Sequence, residues 1–278
     1  MAAWSEDPDV SAASIDRLQV LLVRFARYLD SCGVESLTDL TAAICTQWVH
    51  APVRSGSPPA ASTMHARRHT IRATLRTLRA LNVDAADPTI DIELPARGGL
   101  SVRPLSNTEI DMCRLASFTP TASSLKRPAA WALAEATATT GDLTAVTGND
   151  INIDEAHVTI RFGSTRTATA RTVAATEWGA TILQQRRDEI EPTGRLCYDG
   201  NKPGGSDAAQ AATCGLLRSV LHVTGLSADP TVRPGSIRLW RINCEFASSG
   251  SLEHAARIAG ARSLDAVARQ VDHDWQQQ

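Results

Sequence analysis

The feature that most restricts the fold is a break about a third of the way along the chain. Residues 93–104 (ELPARGGLSVRP) hold two Pro and two Gly and repeat at neither helical nor strand spacing. Such a stretch reads as an interdomain linker. The chain has 278 residues, of which 43% are apolar. At roughly 100–200 residues per domain this suffices for two domains with cores of their own. The expectation is a helical unit over 1–92, a linker over 93–104 and a second unit over 105–278.

The first unit reads as all helix. Ile15, Leu18, Leu22, Phe25 and Leu29 recur at helical spacing over 14–29, and Gly33 suits a C-cap. Residues 39–50 form a second, shorter helix, and 54–59 (RSGSPP) a turn-rich loop. Ser62 or Thr63 then caps a long helix running to about Leu81, with Met64, Ile71, Leu75 and Leu78 on one side and Asp87-Pro88 closing the unit. Beyond the linker, Ser106 and Glu109 supply capping chemistry for a new helix, and 127–139 is Ala-rich and helical. Residues 157–162 (HVTIRF) alternate as a strand, with 170–174 as partner across a Gly/Ser/Thr turn. Helices are expected over 177–187, 208–223, 238–248, 252–259 and 264–270. The fold class is mainly α with one small sheet (α+β).

Several function classes are excluded. No run approaches the roughly 20 apolar residues of a membrane span, and Met1 to Pro8 carries Glu6 and Asp7 without the basic-then-apolar order of a secretory leader. The six cysteines, at 32, 45, 113, 197, 214 and 244, form no C-x-x-C pair and read as reduced thiols of a cytoplasmic protein. There is no P-loop, dinucleotide fingerprint, HExxH or G-x-S-x-G elbow, so no metal, cofactor or small-molecule substrate is expected.

Charge points elsewhere. The net charge is −2, yet no acidic residue occurs between Thr41 and Val83, where Arg54, Arg67, Arg68, Arg72, Arg76 and Arg79 make the stretch +6. Spacings of four, four and three align Arg68, Arg72, Arg76 and Arg79 on one helix face. A solvated basic face is the plain alternative. Six uncompensated like charges repel one another, however, and an anion would relieve them. Arg is also the side chain suited to bidentate phosphate or guanine contacts, so the stripe reads as a nucleic-acid face.

Over nearly its whole length the chain resembles the tyrosine recombinase, or phage integrase, family. The N-terminal pattern of an amphipathic helix, a short helix ending near Trp48 and a Thr-started Arg-rich helix is similar to the family's SAM-like core-binding domain. Arg103 to Ile110 (RPLSNTEI) resembles the R-P-L-T-x-x-E-[IVL] opening of the catalytic domain. Thr140-Gly141 with Asp142-Leu143 and Asp150-Ile151 resembles the first catalytic box, and the hairpin at 157–174 the one carrying the active-site Lys. Ser236-Ile237-Arg238 and Gly260-Ala261-Arg262-Ser263-Leu264 resemble the second box and the G-H-S-S-L segment.

The resemblance implies a C-shaped clamp on double-stranded DNA, with Arg67, Arg68, Arg72, Arg76 and Arg79 on one side. Arg161, Arg166, Arg171, Arg238 and Arg241 are the candidate contacts on the other. It also implies a homodimer on inverted half-sites and a nucleoid-associated location. The family's chemistry needs a Tyr nucleophile, two Arg, one or two His and a Lys that protonates the leaving oxygen. Here the best match of the first box deletes four residues, the catalytic Arg among them. Arg166 stands in the hairpin turn in place of Lys and cannot act as a general acid near neutral pH. The second box keeps Arg238 and loses its His; Ala261 replaces the next His. The nucleophile position, nine residues on, is Gln270, and no Tyr follows Tyr198. The reading is a non-catalytic DNA-binding regulator or recombination accessory. An active recombinase with a rearranged site is the alternative.

Overall fold

The computed structural model describes residues 12–53, 55–95, 102–118, 124–154, 157–165 and 167–271. Contacts divide the chain into two compact units, Met1–Gly99 and Leu100–Gln278.

The first unit is built from α1 (Ala12–Ser31), α2 (Ala42–His50) and α3 (Ala61–Ala80), with a short 3-10 turn at Leu37–Asp39. Thr41 caps α2 by accepting from the Ile44 amide. The long helix begins before Ser62: its N-cap is Ala60, whose extended backbone follows Pro58-Pro59, and no side chain caps it. Phe25, Cys45, Trp48, Val49, Met64, Ile71 and Leu75 form the core, with the Phe25 and Trp48 rings 4.6 Å apart. The chain leaves α3 through Asn82, at φ 61°. It then returns along the helix, so that Ala85 and Ile92 join the same core.

In the second unit, α4 (Asn107–Ser117) opens with a complete Ser106/Glu109 capping box. The segment before it is docked rather than loose. Arg103 donates from its backbone to Thr231 O and pairs through its side chain with Glu109 and Asp229, at 2.7 and 2.9 Å. Helix α5 (Lys126–Glu135) is buried from Pro128 to Glu135. Its alanines let the helix at Glu177–Asp188 approach closely: a Cβ on Gly179 would lie 3.4 Å from Ala132 Cβ. The expected continuation of α5 to Thr139 fails because Thr137 takes φ 69°. Thr137 turns the chain and Thr139 caps a separate short helix, α6 (Thr140–Ala145), with Asp142 completing the box.

The sheet has three antiparallel strands in the order β1 (Ile151–Ile153), β2 (Val158–Phe162), β3 (Arg171–Ala174). Ile160 pairs with Ile151 on one side and Val173 on the other, and Phe162 pairs with Arg171. Helices α7 (Glu177–Asp188), α8 (Asp207–Val223), α9 (Gly235–Ser249), α10 (Leu252–Ala259) and α11 (Leu264–Gln270) follow. Trp131, Leu133, Leu143, Ile160, Phe162, Leu183, Leu196 and Ile237 are fully buried in the main core. A satellite core of Ile242, Ala255, Ala259 and Val267 joins α9, α10 and α11. Among the described residues no helix is long and apolar enough to cross a membrane.

Glu135, a carboxylate wholly inside the second unit, is fully partnered. It accepts from Trp131 Nε1 and Thr176 Oγ1 at 2.9 and 2.8 Å, and from Nε and Nη2, one edge of the Arg114 guanidinium, at 2.9 and 2.8 Å. Arg114 lies over the rings of Trp178 and Trp240, which shield much of it from water. A buried charge so matched is tolerable only while every partner stays.

Candidate nucleic-acid interface

The arginines of α3 divide into two groups. Arg67 donates to the carbonyls of Trp48, Val49 and Ala51 at 2.9, 3.1 and 2.6 Å, closing the C-terminus of α2, and lies 5.7 Å from the Trp48 ring centroid. Burial, with the nearby Arg24 charge, lowers its pKa from the usual guanidinium value. Arg68 donates to Ile92 O at 2.7 Å. Arg72 grips Thr89 through its hydroxyl and its carbonyl, both at 2.9 Å, and meets Asp87 at 3.4 Å. The expectation that all five form one uncompensated DNA face is therefore corrected. The returning 85–92 segment supplies carbonyls and a carboxylate to Arg68 and Arg72, and α2 supplies carbonyls to Arg67.

Arg76 and Arg79 remain exposed on the last turns of α3. Sequence reading passed over three further exposed cations of this unit, Arg17, Arg24 and Arg27 on α1. The signal was present: all three fall off the apolar 15/18/22/25/29 register. Asp16 and Asp30 on the same helix masked it by lowering the local charge.

In the second unit, Arg161 points outward from β2, 70% exposed, and pairs with Asp150 at 3.0 Å. Hydrogen bonds from Thr147 and Arg161 outweigh burial and hold Asp150 below the usual carboxylate range. Arg166 and Arg54 lie outside the described residues. Arg171, expected on the phosphate face, is corrected: its side chain is 2% exposed and its Nη2 donates to Asp142 at 2.9 Å and Thr137 O at 2.8 Å. The guanidinium packs 4.3 Å from the Phe162 ring centroid. Position 171 shares the inward side of β3 with Val173, so burial there follows from strand parity.

Arg238 projects from the first turns of α9 toward the end of α10, where it donates to Ala259 O. Its buried Nε has no hydrogen-bond partner. Burial and the Arg171 charge draw its pKa down to about 10, against an opposing pull from Asp142, so it stays cationic at neutral pH. Arg241 is committed to Glu245 at 2.7 Å and reaches Ala174 O at 3.4 Å, which ties α9 to β3 and makes it a poor phosphate contact. Glu245 also meets His254 at 2.9 Å, and Arg257 donates to the other ring nitrogen of His254 at 2.8 Å.

The turn between β2 and β3 is held over this area. Arg262, exposed and not foreseen as a contact, donates to Thr165 O at 3.1 Å, and Thr165 Cγ2 sits where a Cβ on Gly141 would approach to 3.3 Å. Ala261 is half-buried beside Arg262, and Gln270 is exposed at the end of α11. Tyr198 is buried, its hydroxyl accepting from the Lys202 amide, while Tyr28 lies in the first unit and donates to Gln47 Oε1 at 3.2 Å. Lys126 is paired with Asp199 at 2.7 Å.

No protein-family model matches the sequence, and no curated protein matches it. Solved structures do match. A XerH site-specific recombinase bound to difH substrate in a pre-cleavage complex superposes with a TM-score of 0.72 at 15% identity, over 96% of this chain and 79% of that one. The Tn1549 transposon integrase with transposon right-end DNA gives 0.69 at 12% identity, over 96% and 91%. A lambda integrase dimer (residues 75–356) bound to a COC′ core site gives 0.62 at 14% identity, over 93% and 90%. The chain therefore has the fold of the tyrosine recombinases and integrases, mainly helical with one three-stranded sheet.

Proposed function

We propose that this chain binds double-stranded DNA at a specific site without cutting it, as a repressor, architectural factor or recombination accessory on the nucleoid. The observation that carries the non-catalytic part is Gln270, an exposed amide at the end of α11 where the family's order puts the nucleophile. An amide cannot form the phosphotyrosyl-type ester. The two tyrosines are engaged elsewhere, one in the core of the second unit and one in the first unit. DNA binding is supported by the fold, since the three structures compared above were solved with DNA, and by the exposed arginines on both units. Arg17, Arg24, Arg27, Arg76 and Arg79 would meet the duplex from the first unit. Arg161, Arg238 and Arg262 would meet it from the second. Binding as a homodimer on inverted half-sites belongs to the same proposal.

Footprinting the purified protein on genomic fragments, followed by anisotropy titrations at graded salt, tests the reading. The expected result is one protected site with two-fold symmetry. Affinity should fall with salt at a log–log slope of about −0.9 per phosphate contacted. Binding that is absent at low salt on every fragment would refute it.

A further inference from the structure

The end of α10 is held from several sides at once. Arg238 donates to Ala259 O, Thr137 Oγ1 to Ile258 O at 2.5 Å, and the Thr169 amide to Gly260 O at 2.9 Å. Arg171 in turn secures two of these donors: its Nη2 holds Thr137 O at 2.8 Å, and its Nη1 lies 3.4 Å from Thr169 O. Gly260, at φ 61°, rests directly on Arg171, so that a Cβ there would come within 2.9 Å of Arg171 Cδ. The pose of Arg171 is itself fixed by the Phe162 face and by Asp142, which also closes the N-terminus of α6.

Charge in this cluster does not cancel. Two guanidiniums, Arg171 and Arg238, face one carboxylate, Asp142, and the Nε atoms of both arginines are buried without a hydrogen-bond partner. Away from water such donors and an excess positive charge favour an anion at the accessible edge. Arg171 cannot provide that edge, because it is enclosed; Arg238 can.

We propose that Arg171 is a positioning residue for Arg238. It touches no ligand, but it fixes the 258–260 turn that aims Arg238 and leaves the cluster with one uncancelled positive charge, which a single phosphodiester group at Arg238 neutralises. The inference rests on the DNA-binding reading and adds to it a buried residue through which one phosphate contact is set.

The test uses the full chain and a duplex carrying the protected site, with each phosphate replaced in turn by a neutral methylphosphonate. The wild type should lose about tenfold in affinity at the phosphate that Arg238 contacts, the size of one charge-assisted hydrogen bond, and Arg238→Ala should lose that sensitivity. The decisive variant combines Arg171→Met with Asp142→Leu, which removes both charges and leaves neither unpaired. It should fold, as judged by its thermal transition, yet respond less than threefold at that phosphate while keeping full sensitivity at phosphates contacted from the first unit. Arg171→Lys, which keeps the charge without the fork, should restore part of the response.

A folded double variant with the wild-type tenfold response would overturn the proposal, because a purely structural ion pair changes the melt and not the phosphate map. If the double variant does not fold, Arg171→Lys decides: a reduced response supports the proposal and an unchanged one overturns it. A wild type that binds no duplex fails the DNA-binding reading instead. Inorganic phosphate titrated against the Arg238 Nε–H resonance then decides the inference. A shift present in the wild type and absent in the Arg171 variants supports it, and equal shifts overturn it.

Discussion

Arg72 and Arg76 stand one helical turn apart on α3, and their replacement should have opposite consequences. Arg72 makes two 2.9 Å hydrogen bonds to Thr89 and meets Asp87 at 3.4 Å, with its side chain 35% exposed. Hydrogen bonds involving a charged group contribute roughly 1.5–3 kcal/mol each when fully shielded. Partial exposure lets water replace much of that, which leaves about 1–3 kcal/mol for Arg72→Gln. Against a stability of about 5–10 kcal/mol for a unit of this size, that is a visible loss. Arg76 and Arg79 are exposed, so Arg76→Gln plus Arg79→Gln should move stability by no more than about 0.5 kcal/mol per site. On DNA the order reverses. Loss of the exposed pair should lower the log–log salt slope by about 2, and Arg72→Gln should leave that slope nearly unchanged. Urea melts of the full chain, read by circular dichroism, and anisotropy titrations at four salt concentrations measure both quantities. An Arg72 variant that melts like the wild type and loses as much salt slope as an Arg76 variant would refute the assignment of Arg72 to the interior of the unit.

Three further outcomes follow from particular contacts. Arg114→Ala leaves the Glu135 carboxylate buried with only Trp131 and Thr176 as donors, and should cost about 3–5 kcal/mol in a denaturant melt; Arg114→Ala with Glu135→Leu should recover most of that loss. Gly260→Ala should destabilise by about 1–3 kcal/mol, since the position combines φ 61° with a 2.9 Å approach to the Thr169 carbonyl. The pH dependence has a definite sign. Hydrogen bonding to Arg103, against the opposing effect of burial, holds the Glu109 carboxyl at about 2. Its stabilising contribution is therefore complete above the ordinary Glu value of about 4.3 and is withdrawn as pH falls toward 2. Arg103→Gln should lower stability at neutral pH and flatten the acid limb of the stability curve between those values, as measured by melts from pH 6 to pH 2.

Much of the architecture was legible in the sequence because it is written in local chemistry. The helix starts at Ser106, with Glu109 three residues on, and the β2–β3 hairpin both follow from spacing and capping residues alone. The strand at 151–153 was not foreseen, because three residues are too few to show alternation and its pairing with Ile160 is a tertiary fact. The candidate interface was less legible than the fold. A helical projection places Arg68, Arg72, Arg76 and Arg79 on one face, but it cannot reveal that residues 87–92 return to cover half of it. Arg171 was readable in principle, since it alternates with the buried Val173, yet its charge suggested the outside. That a guanidinium can stay inside depends on Asp142 and the Thr137 carbonyl, which arrive from a helix and a turn some 30 residues earlier. Gln270 was legible at once, because no residue after 198 is a Tyr.

The central claim, site-specific binding without strand cleavage, is tested most directly with a suicide duplex. The protected site is nicked beside each candidate scissile phosphate in turn, so that an attack would trap the protein covalently. The expected result is a salt-sensitive complex on a native gel that disappears completely in SDS, for every nick position. A band that survives boiling in SDS and is removed by protease would contradict the claim, and mapping its attachment residue would identify the nucleophile that Gln270 cannot be.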